Sequence, residues 1–269
     1  MLKCIYYFLN RHCALKAKAK IFYFLFIHNP FGKSGYPKVH RGRCNICGCK
    51  TSFWDFSADA ETLICFYCGS SARNRAVAEL ILQELGHSGA NIREFRDDSI
   101  RGYIASGYSI LAQILKKKKF IISEYFDNVT LGKYKDGIRC EDLTRLTFSD
   151  ETFDIVISEH VLEHVGDPYR SFIEVNRVLK KGGRYIFTIP FEAEEGTVRR
   201  VLCDGTTLMP KQFHIDPLRP QGSLVYTQFS KKDLIDKFLS PNKFKAEIVT
   251  VNDKNAGIFN CEVIKARKL

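Results

Sequence analysis

Four cysteines carry the clearest chemistry in this sequence. Cys44-Asn-Ile-Cys47-Gly48 is followed by Cys65-Phe-Tyr-Cys68-Gly69, with seventeen residues between Cys47 and Cys65. Two residues between cysteines let one tight turn aim both thiolates at a common point. The glycine after each second cysteine admits the backbone conformation such a knuckle needs. Two knuckles supply a tetrahedral set, so Cys44, Cys47, Cys65 and Cys68 are the expected ligands of a zinc ion. A four-sulfur site has no open position, which predicts a structural role. Cys49 competes with Cys47, but only Cys47 completes the CxxCG unit. Cys4, Cys13, Cys140, Cys203 and Cys261 are scattered and read as ordinary core or surface residues.

A second cluster is His160-Val-Leu-Glu163-His164. Positions i, i+3 and i+4 share a helix face, so these side chains could converge. As a string it matches the H-x-x-E-H motif of inverted zinc proteases. Its context argues against that, because it follows an apolar strand and Gly166-Asp-Pro168 breaks any helix at once. A histidine general base is a second reading, since a neutral imidazole suits taking a proton from a hydroxyl. A purely structural role, hydrogen-bonding the loop, is a third. Arg73 and Arg75 have two readings as well: contact with a ligand phosphate or carboxylate, or solvated places in a first helical turn.

Alternating elements must position these groups. Ser70 or Ser71 caps an expected helix with Val77, Leu80, Ile81 and Leu85 on its apolar face. From about residue 100, strands begin at Tyr103, at Phe120 (ending at Glu124), at Phe153 (ending at Ser158) and at Arg184. Helices are expected over 109–117 and around Phe172, Val175, Val178 and Leu179, the latter ending at Lys180-Lys181-Gly182-Gly183. A late helix over 231–239 leads to two strands joined by an Asn/Gly-rich turn at 252–257. The reading is an α/β fold: a Rossmann-like, doubly wound, mostly parallel sheet with a C-terminal antiparallel hairpin and a small N-terminal zinc ribbon. The expected division is a basic aromatic arm over 1–40, the ribbon over 41–70 and the main domain over 71–269. Residues 191–229 form a long insert on the substrate side, with His214 and Asp216 as further acceptor-contact candidates.

The stretch from Asp142 through His164-Val165, with Arg177-Val-Leu-Lys-Lys-Gly-Gly183, resembles the type 11 family of class I S-adenosylmethionine (SAM)-dependent methyltransferases. The knuckles, Arg73-x-Arg75 and the segment from His214 to Tyr226 resemble a bacterial subgroup with an N-terminal zinc ribbon. The resemblance implies SAM as cofactor and a set of roles. Ser106 and Gly107 would lie at the turn beside the methionine part, and Glu124 would accept from the ribose hydroxyls. Asp142 would face the adenine amine, with Leu143 beside the ring. Ser158 and Glu159 would line the cleft near the sulfonium. The usual G-x-G loop is reduced to the single Gly107. In some related O-methyltransferases, residues corresponding to His160, Glu163 and His164 hold a divalent cation. The acceptor implied is a small molecule or glycan; alternatives are RNA methylation and a non-catalytic cofactor-binding or adaptor protein.

Charge is unevenly placed. The chain has 269 residues and a net charge of +11, yet Met1 to Trp54 holds ten Lys or Arg and no acid, and the rest is nearly balanced at 31 against 30. A basic arm suits an anionic membrane surface, through residues 1–31, or nucleic acid. The balanced remainder argues against a whole catalytic face built for RNA. The apolar run over 21–27 is far shorter than a membrane span. No secretory pattern is found, so ten cysteines are expected in a reducing cytoplasm.

Overall fold

The computed structural model describes residues 38–55, 62–216 and 218–269. The basic aromatic arm therefore lies outside the described residues up to position 37. The chain divides into two compact units. One runs to Arg96 and takes in Thr250–Val263; the other comprises Asp97–Val249 and Ile264–Leu269.

In the first unit, β1 (Lys38–Arg43), β2 (Lys50–Asp55) and β3 (Ile64–Cys65) form an antiparallel three-stranded sheet. Arg43 pairs with Lys50 and Arg41 with Ser52, so these side chains share one face. The next element is α1 (Ala72–Glu84). Ser71 caps it through a reciprocal bond with Asn74, as the sequence led us to expect of Ser70 or Ser71. Nine of its residues are buried, Val77, Leu80 and Ile81 among them. Arg75 is one of the nine, at 0% exposure. It meets neither expectation: it is not solvated and does not face a ligand site. Its guanidinium donates to the carbonyls of Ala256 and Gly257, 2.6 and 2.9 Å away at the tip of the C-terminal hairpin. It also donates to Ser70 and Leu63, both at 2.6 Å. These bonds explain why α1 groups with the cysteine knuckles, although the sequence suggested a division at residue 70.

The second unit is built on the sheet β14-β15-β9-β8-β4-β5-β7-β6, to which β14 contributes Phe244–Val249 and β15 Ile264–Lys268. Its strands are β4 (Gly102–Ile104), β5 (Phe120–Glu124), β6 (Tyr134–Lys135), β7 (Ile138–Cys140), β8 (Phe153–Glu159), β9 (Leu179–Thr188), β14 (Phe244–Asp253) and β15 (Ile258–Lys268); the short strands β10 (Val198–Arg199), β11 (Phe213–His214), β12 (Ser223–Leu224) and β13 (Thr227–Gln228) pair apart from it, within the insert. The pairs β4–β5, β4–β8, β5–β7 and β8–β9 are parallel, and β15 adds antiparallel to β9. From β4 the chain moves outward through α2 (Ile110–Leu115) to β5 and β7. It then returns to β8 on the other side and moves outward through α3 (Pro168–Val178) to β9. That reversal beside β4 is the switch point at which open α/β sheets bind ligands. Right-handed crossovers in opposite directions put α2 and α3 on opposite faces. Burial agrees: Tyr103, Val156, Tyr185 and Phe187 cluster with Phe172, Val175 and Val178 of α3. Their neighbours Ile104, Ile155, Ile157 and Ile186 are buried outside that cluster, as is Leu111 of α2.

Two expectations are corrected. The helix before β9 ends at Val178, and Lys180 to Gly183 belong to the strand. Phe153 pairs with Leu179 and Ile155 with Arg184, so the backbone bulges through the two glycines. A basic run followed by glycine imitates a helix end, but here it is a strand irregularity. Among the described residues, only two of the parallel crossovers contain a helix; β5 to β7 and β7 to β8 are joined by turns. The last helix is α4 (Lys231–Asp233), continued by a π-helical stretch at Leu234–Leu239. The expected hairpin is present as β14 and β15. Among the described residues no helix is long and apolar enough to cross a membrane.

Candidate active site and thiolate cluster

The four expected cysteines converge. Cys44 and Cys68 sulfurs are 3.7 Å apart, Cys47 and Cys65 sulfurs 4.0 Å, and all four lie within 4.8 Å of one another. Four Zn–S bonds of about 2.3 Å arranged tetrahedrally have edges of about 3.8 Å, close to the 3.7 and 4.0 Å separations, so the set fits a zinc ion. Both knuckles close in the same way. Gly48 N–H donates to Cys44 O at 2.8 Å and Gly69 N–H to Cys65 O at 2.9 Å, with φ of +76° and +74° at the two glycines. That left-handed conformation is why each CxxC is followed by glycine. Cys49 sits outside the set, its sulfur toward Cys47 O. The thiols share protons unequally. Cys44 is lowered to about 7, first by its hydrogen bond with Cys47, and Cys65 is lowered too; Cys47 and Cys68 are raised by the same neighbours. A packed thiol–thiolate set of this kind is ready to exchange protons for a cation.

In the second unit, the carboxyl ends of β4, β5 and β8 bring the other candidates together. Gly107 is buried at the turn after β4. A Cβ there would stand 2.9 Å from Ile138 and 3.0 Å from Ser123 O, so the turn lies against β5 and β7 with no room for a side chain. Ser106, beside it, is half-buried. Glu124 ends β5 and accepts from the Tyr125 amide at 3.2 Å. Burial pushes its carboxyl up to about 7 against that amide bond. A carboxylate held this way gains from any ligand bringing hydroxyl donors. Asp142 follows β7. Its carboxylate accepts from the Thr144 amide and hydroxyl, both at 2.8 Å, and Leu143 is buried beside it. Asp142 lines a cavity of about 450 Å³ with Tyr125, Phe126, Leu131 and Leu146, room for a flat heterocycle. The residues fit a nucleoside cofactor: Glu124 would accept from its ribose, and the cavity beside Asp142 would take its base.

Ser158 departs from the expectation. It shares a strand face with Val156, points into the core, and meets the Tyr185 hydroxyl at 2.7 Å at 0% exposure. It braces the sheet and does not line the cleft. Glu159, the last residue of β8, is 6% exposed.

The chain then turns sharply at His160, whose φ is +52°, into a single 3-10 turn, Leu162–His164. His164 Nδ1 is 2.8 Å from Leu224 O. A carbonyl can only accept, so Nδ1 carries the proton and Nε2 keeps its lone pair. Burial lowers the His164 pKa from its ordinary value despite that bond, so the ring is neutral at neutral pH. Glu163, fully buried, lies 3.7 Å from His164 Nε2 and 3.9 Å from His160 Nδ1. His214, from the insert, packs edge-on to His164 with ring centres 5.0 Å apart and reaches Glu192 at 3.2 Å. The group whose ligand atoms lie within 4.8 Å of one another is Glu163, His164 and His214, so the cation trio is drawn differently from the sequence expectation, with His214 in and His160 out.

The insert supplies more than His214. Asp216 accepts from Ser223, from the Leu218 amide and from Arg219, at 2.7 Å for Arg219. Burial opposes its ionisation, but those bonds hold it below the ordinary carboxylate range. Arg219 also donates to Tyr125 O at 3.2 Å and lies 3.6 Å from Asp127. The insert thus joins the end of β8, through Leu224, to the end of β5, through Arg219, across the switch point. Sequence reasoning missed Arg219; its only local signal is the Asp-x-x-Arg spacing.

Residues 110–187 match a family model described as a methyltransferase domain. A curated relative, an uncharacterized methyltransferase of Schizosaccharomyces pombe, is 34% identical over 71 residues. That match covers 26% of this chain and 23% of the relative, so it spans about a quarter of the relative's length. Among solved structures, a SAM-dependent methyltransferase from Methanosarcina mazei is 18% identical, with 66% of this chain and 96% of that chain covered and a TM-score of 0.41. The 1,6-didemethyltoxoflavin-N1-methyltransferase of Burkholderia thailandensis is 15% identical, with 73% and 78% covered and a TM-score of 0.43. The matched segment contains Glu124, Asp142, His160, Glu163 and His164.

Proposed function

We propose that the chain is a SAM-dependent O-methyltransferase acting on a hydroxyl of a sugar, polysaccharide or other small molecule, with His164 as general base. The observation that carries this reading is the His164 tautomer. The Leu224 carbonyl holds Nδ1 protonated, which leaves Nε2 as a neutral base at the end of β8. When bound, SAM supplies an electrophilic methyl, which leaves its sulfur for the acceptor oxygen. Glu124 and Asp142 would hold the nucleoside, and Gly107 would let the backbone approach. His164 Nε2 would take the hydroxyl proton, and the Glu163 carboxylate would stabilise the resulting imidazolium. Glu159 and His160 would shape the wall of the site.

A cation held by Glu163, His164 and His214 is the second reading, favoured by their convergence. RNA as acceptor is favoured by the exposed cations Arg41, Arg43 and Lys50 beside the rings of Phe66 and Tyr67. We also propose a structural zinc at Cys44, Cys47, Cys65 and Cys68, membership of the zinc-ribbon bacterial subgroup, and a cytoplasmic protein whose residues 1–31 attach to anionic lipid. The test of acceptor class uses radiolabelled SAM with polysaccharide, lipid and RNA fractions. Label in a hydroxyl-bearing glycan or small molecule, lost in His164→Ala, is expected; label in RNA alone overturns the acceptor assignment. Removing residues 1–31 should reduce binding to phosphatidylserine vesicles, and equal binding by both forms refutes the attachment.

A further inference from the structure

The first unit carries a surface that methyl transfer does not use. A groove of about 600 Å³ is lined by Arg41, Arg43, Lys50, Ser52, Phe66 and Tyr67, together with Gly42, Thr51 and Asn255. No Asp or Glu is among its described lining residues. We propose that this groove binds single-stranded nucleic acid, with phosphates on the three cations and bases stacked on the two rings.

Its construction follows from strand register. Arg41 and Arg43 are two residues apart on β1, so they leave the same face about 6.8 Å apart. Lys50 pairs with Arg43 and Ser52 with Arg41, which lines three cations and a hydroxyl along one sheet face. All three cations are exposed. Arg43 is oriented by its own bond to Gly48 O at 2.8 Å, and its amide donates to Asn255 O at 2.8 Å. The nearby acid Asp253 is engaged by the amides of Asn255 and Ala256. A row of cations at this interval can follow consecutive phosphates of an extended strand.

The rings come from the second knuckle. Phe66 and Tyr67 occupy the two positions between Cys65 and Cys68, and the knuckle turn holds them outward. Phe66 is 37% and Tyr67 51% exposed, and their rings stand edge to face at 5.8 Å. The Phe66 amide bonds Ser52 O at 3.1 Å, which fixes this platform beside the cationic face. Exposed aromatics next to a cationic track are the physical elements of sequence-tolerant single-strand binding. A purely anionic polymer would use the cations and leave the rings idle. A membrane surface would need a continuous apolar edge, which two rings at the rim of a groove do not supply.

The inference does not rest on methyl transfer, and its test reads binding alone. The full chain is titrated against fluorescent twelve-nucleotide oligouridylate and oligoadenylate, by anisotropy at several salt concentrations, with heparin as the anionic comparison. Binding is expected to weaken with salt. Replacing Arg41 and Lys50 together by Gln should reduce the magnitude of the log K against log salt slope by about 1.4, at roughly 0.7 per phosphate contact. Tyr67→Ala should weaken oligonucleotide binding roughly 5- to 150-fold, leave heparin binding unchanged, and be rescued by Tyr67→Phe. Near-ultraviolet circular dichroism of each variant confirms that the unit is folded. Binding insensitive to Tyr67 and Phe66 substitution, a salt slope unchanged without Arg41 and Lys50, or no binding at all overturns the proposal.

Discussion

Replacing Arg75 by alanine should unfold the first unit preferentially. The guanidinium has five N–H groups, and all five are used. They reach the carbonyls of Ala256, Gly257, Leu63 and Ser70 and the Ser70 hydroxyl. The group also lies 4.2 Å above the Phe53 ring. Removing it takes the donor from three buried carbonyls, those of Ala256, Gly257 and Leu63, each costing about 1–3 kcal/mol if nothing replaces it, while Ser70 O keeps the Cys65 amide. The lost ring contact adds about 0.5–2 kcal/mol. Two effects reduce that sum: water enters the vacated space, and the folded state no longer carries a desolvated cation. The expected net loss is about 3–5 kcal/mol, as for breaking other buried charge networks, a large share of the ~5–15 kcal/mol that stabilises a domain. The chain has one tryptophan, Trp54 on β2, so its fluorescence during urea unfolding reports on this unit. Arg75→Lys should fall between, because an ammonium offers three donors from a shorter reach. A loss below about 1 kcal/mol in the alanine variant, with an unchanged urea slope, would refute the claim that these bonds hold α1 to the hairpin tip.

Glu124→Gln should weaken SAM binding roughly 5- to 150-fold, by loss of charge-assisted hydrogen bonds. In the parent protein, affinity should fall by up to tenfold per unit as pH drops below about 7, because the carboxyl must ionise to accept ribose hydroxyls; calorimetry showing a flat profile is the contrary result. The same raised carboxyl destabilises the unliganded fold as pH rises towards 7, so its own contribution should improve on acidification. His164→Ala should lower turnover about 10²- to 10⁴-fold with cofactor affinity nearly unchanged. The parent's rate should decline only as pH drops through a value under the ordinary histidine pKa, since burial lowers it. Chelation that abolishes activity, restored by magnesium, would instead assign the group to a cation. Metal analysis should find about one zinc per chain, lost in Cys65→Ser; metal-free folded protein with four titratable thiols excludes the zinc.

What the sequence made legible was local. CxxCG encodes a turn within five residues, so the choice of Cys47 over Cys49 could be made from spacing. The apolar runs at Tyr103, Phe120 and Phe153 are buried on both faces and read as strands for that reason. Misread features depended on parity or on distant partners. The resemblance places Ser158 at the cleft, near the end of β8, but strand alternation sends its side chain inward to Tyr185. His214 joins His164 from fifty residues away, through an insert whose path no periodicity announces. Arg75 looked like any first-turn arginine, since its acceptors are carbonyls near residue 257 and a carbonyl leaves no trace in residue type.

The bond from Arg75 to Gly257 spans 182 positions. On the ribosome, at about 5–20 residues per second, the arginine emerges roughly 10–35 seconds before its acceptors exist. The knuckles can gather their sulfurs meanwhile, because all four lie within twenty-five residues, but α1 must wait with an unanswered cation. The first unit to be made is thus among the last to be finished, and chaperones have that interval in which to hold it. Long-range closure of this kind slows folding, and a truncation before the hairpin should compromise the knuckle unit at the opposite end of the sequence.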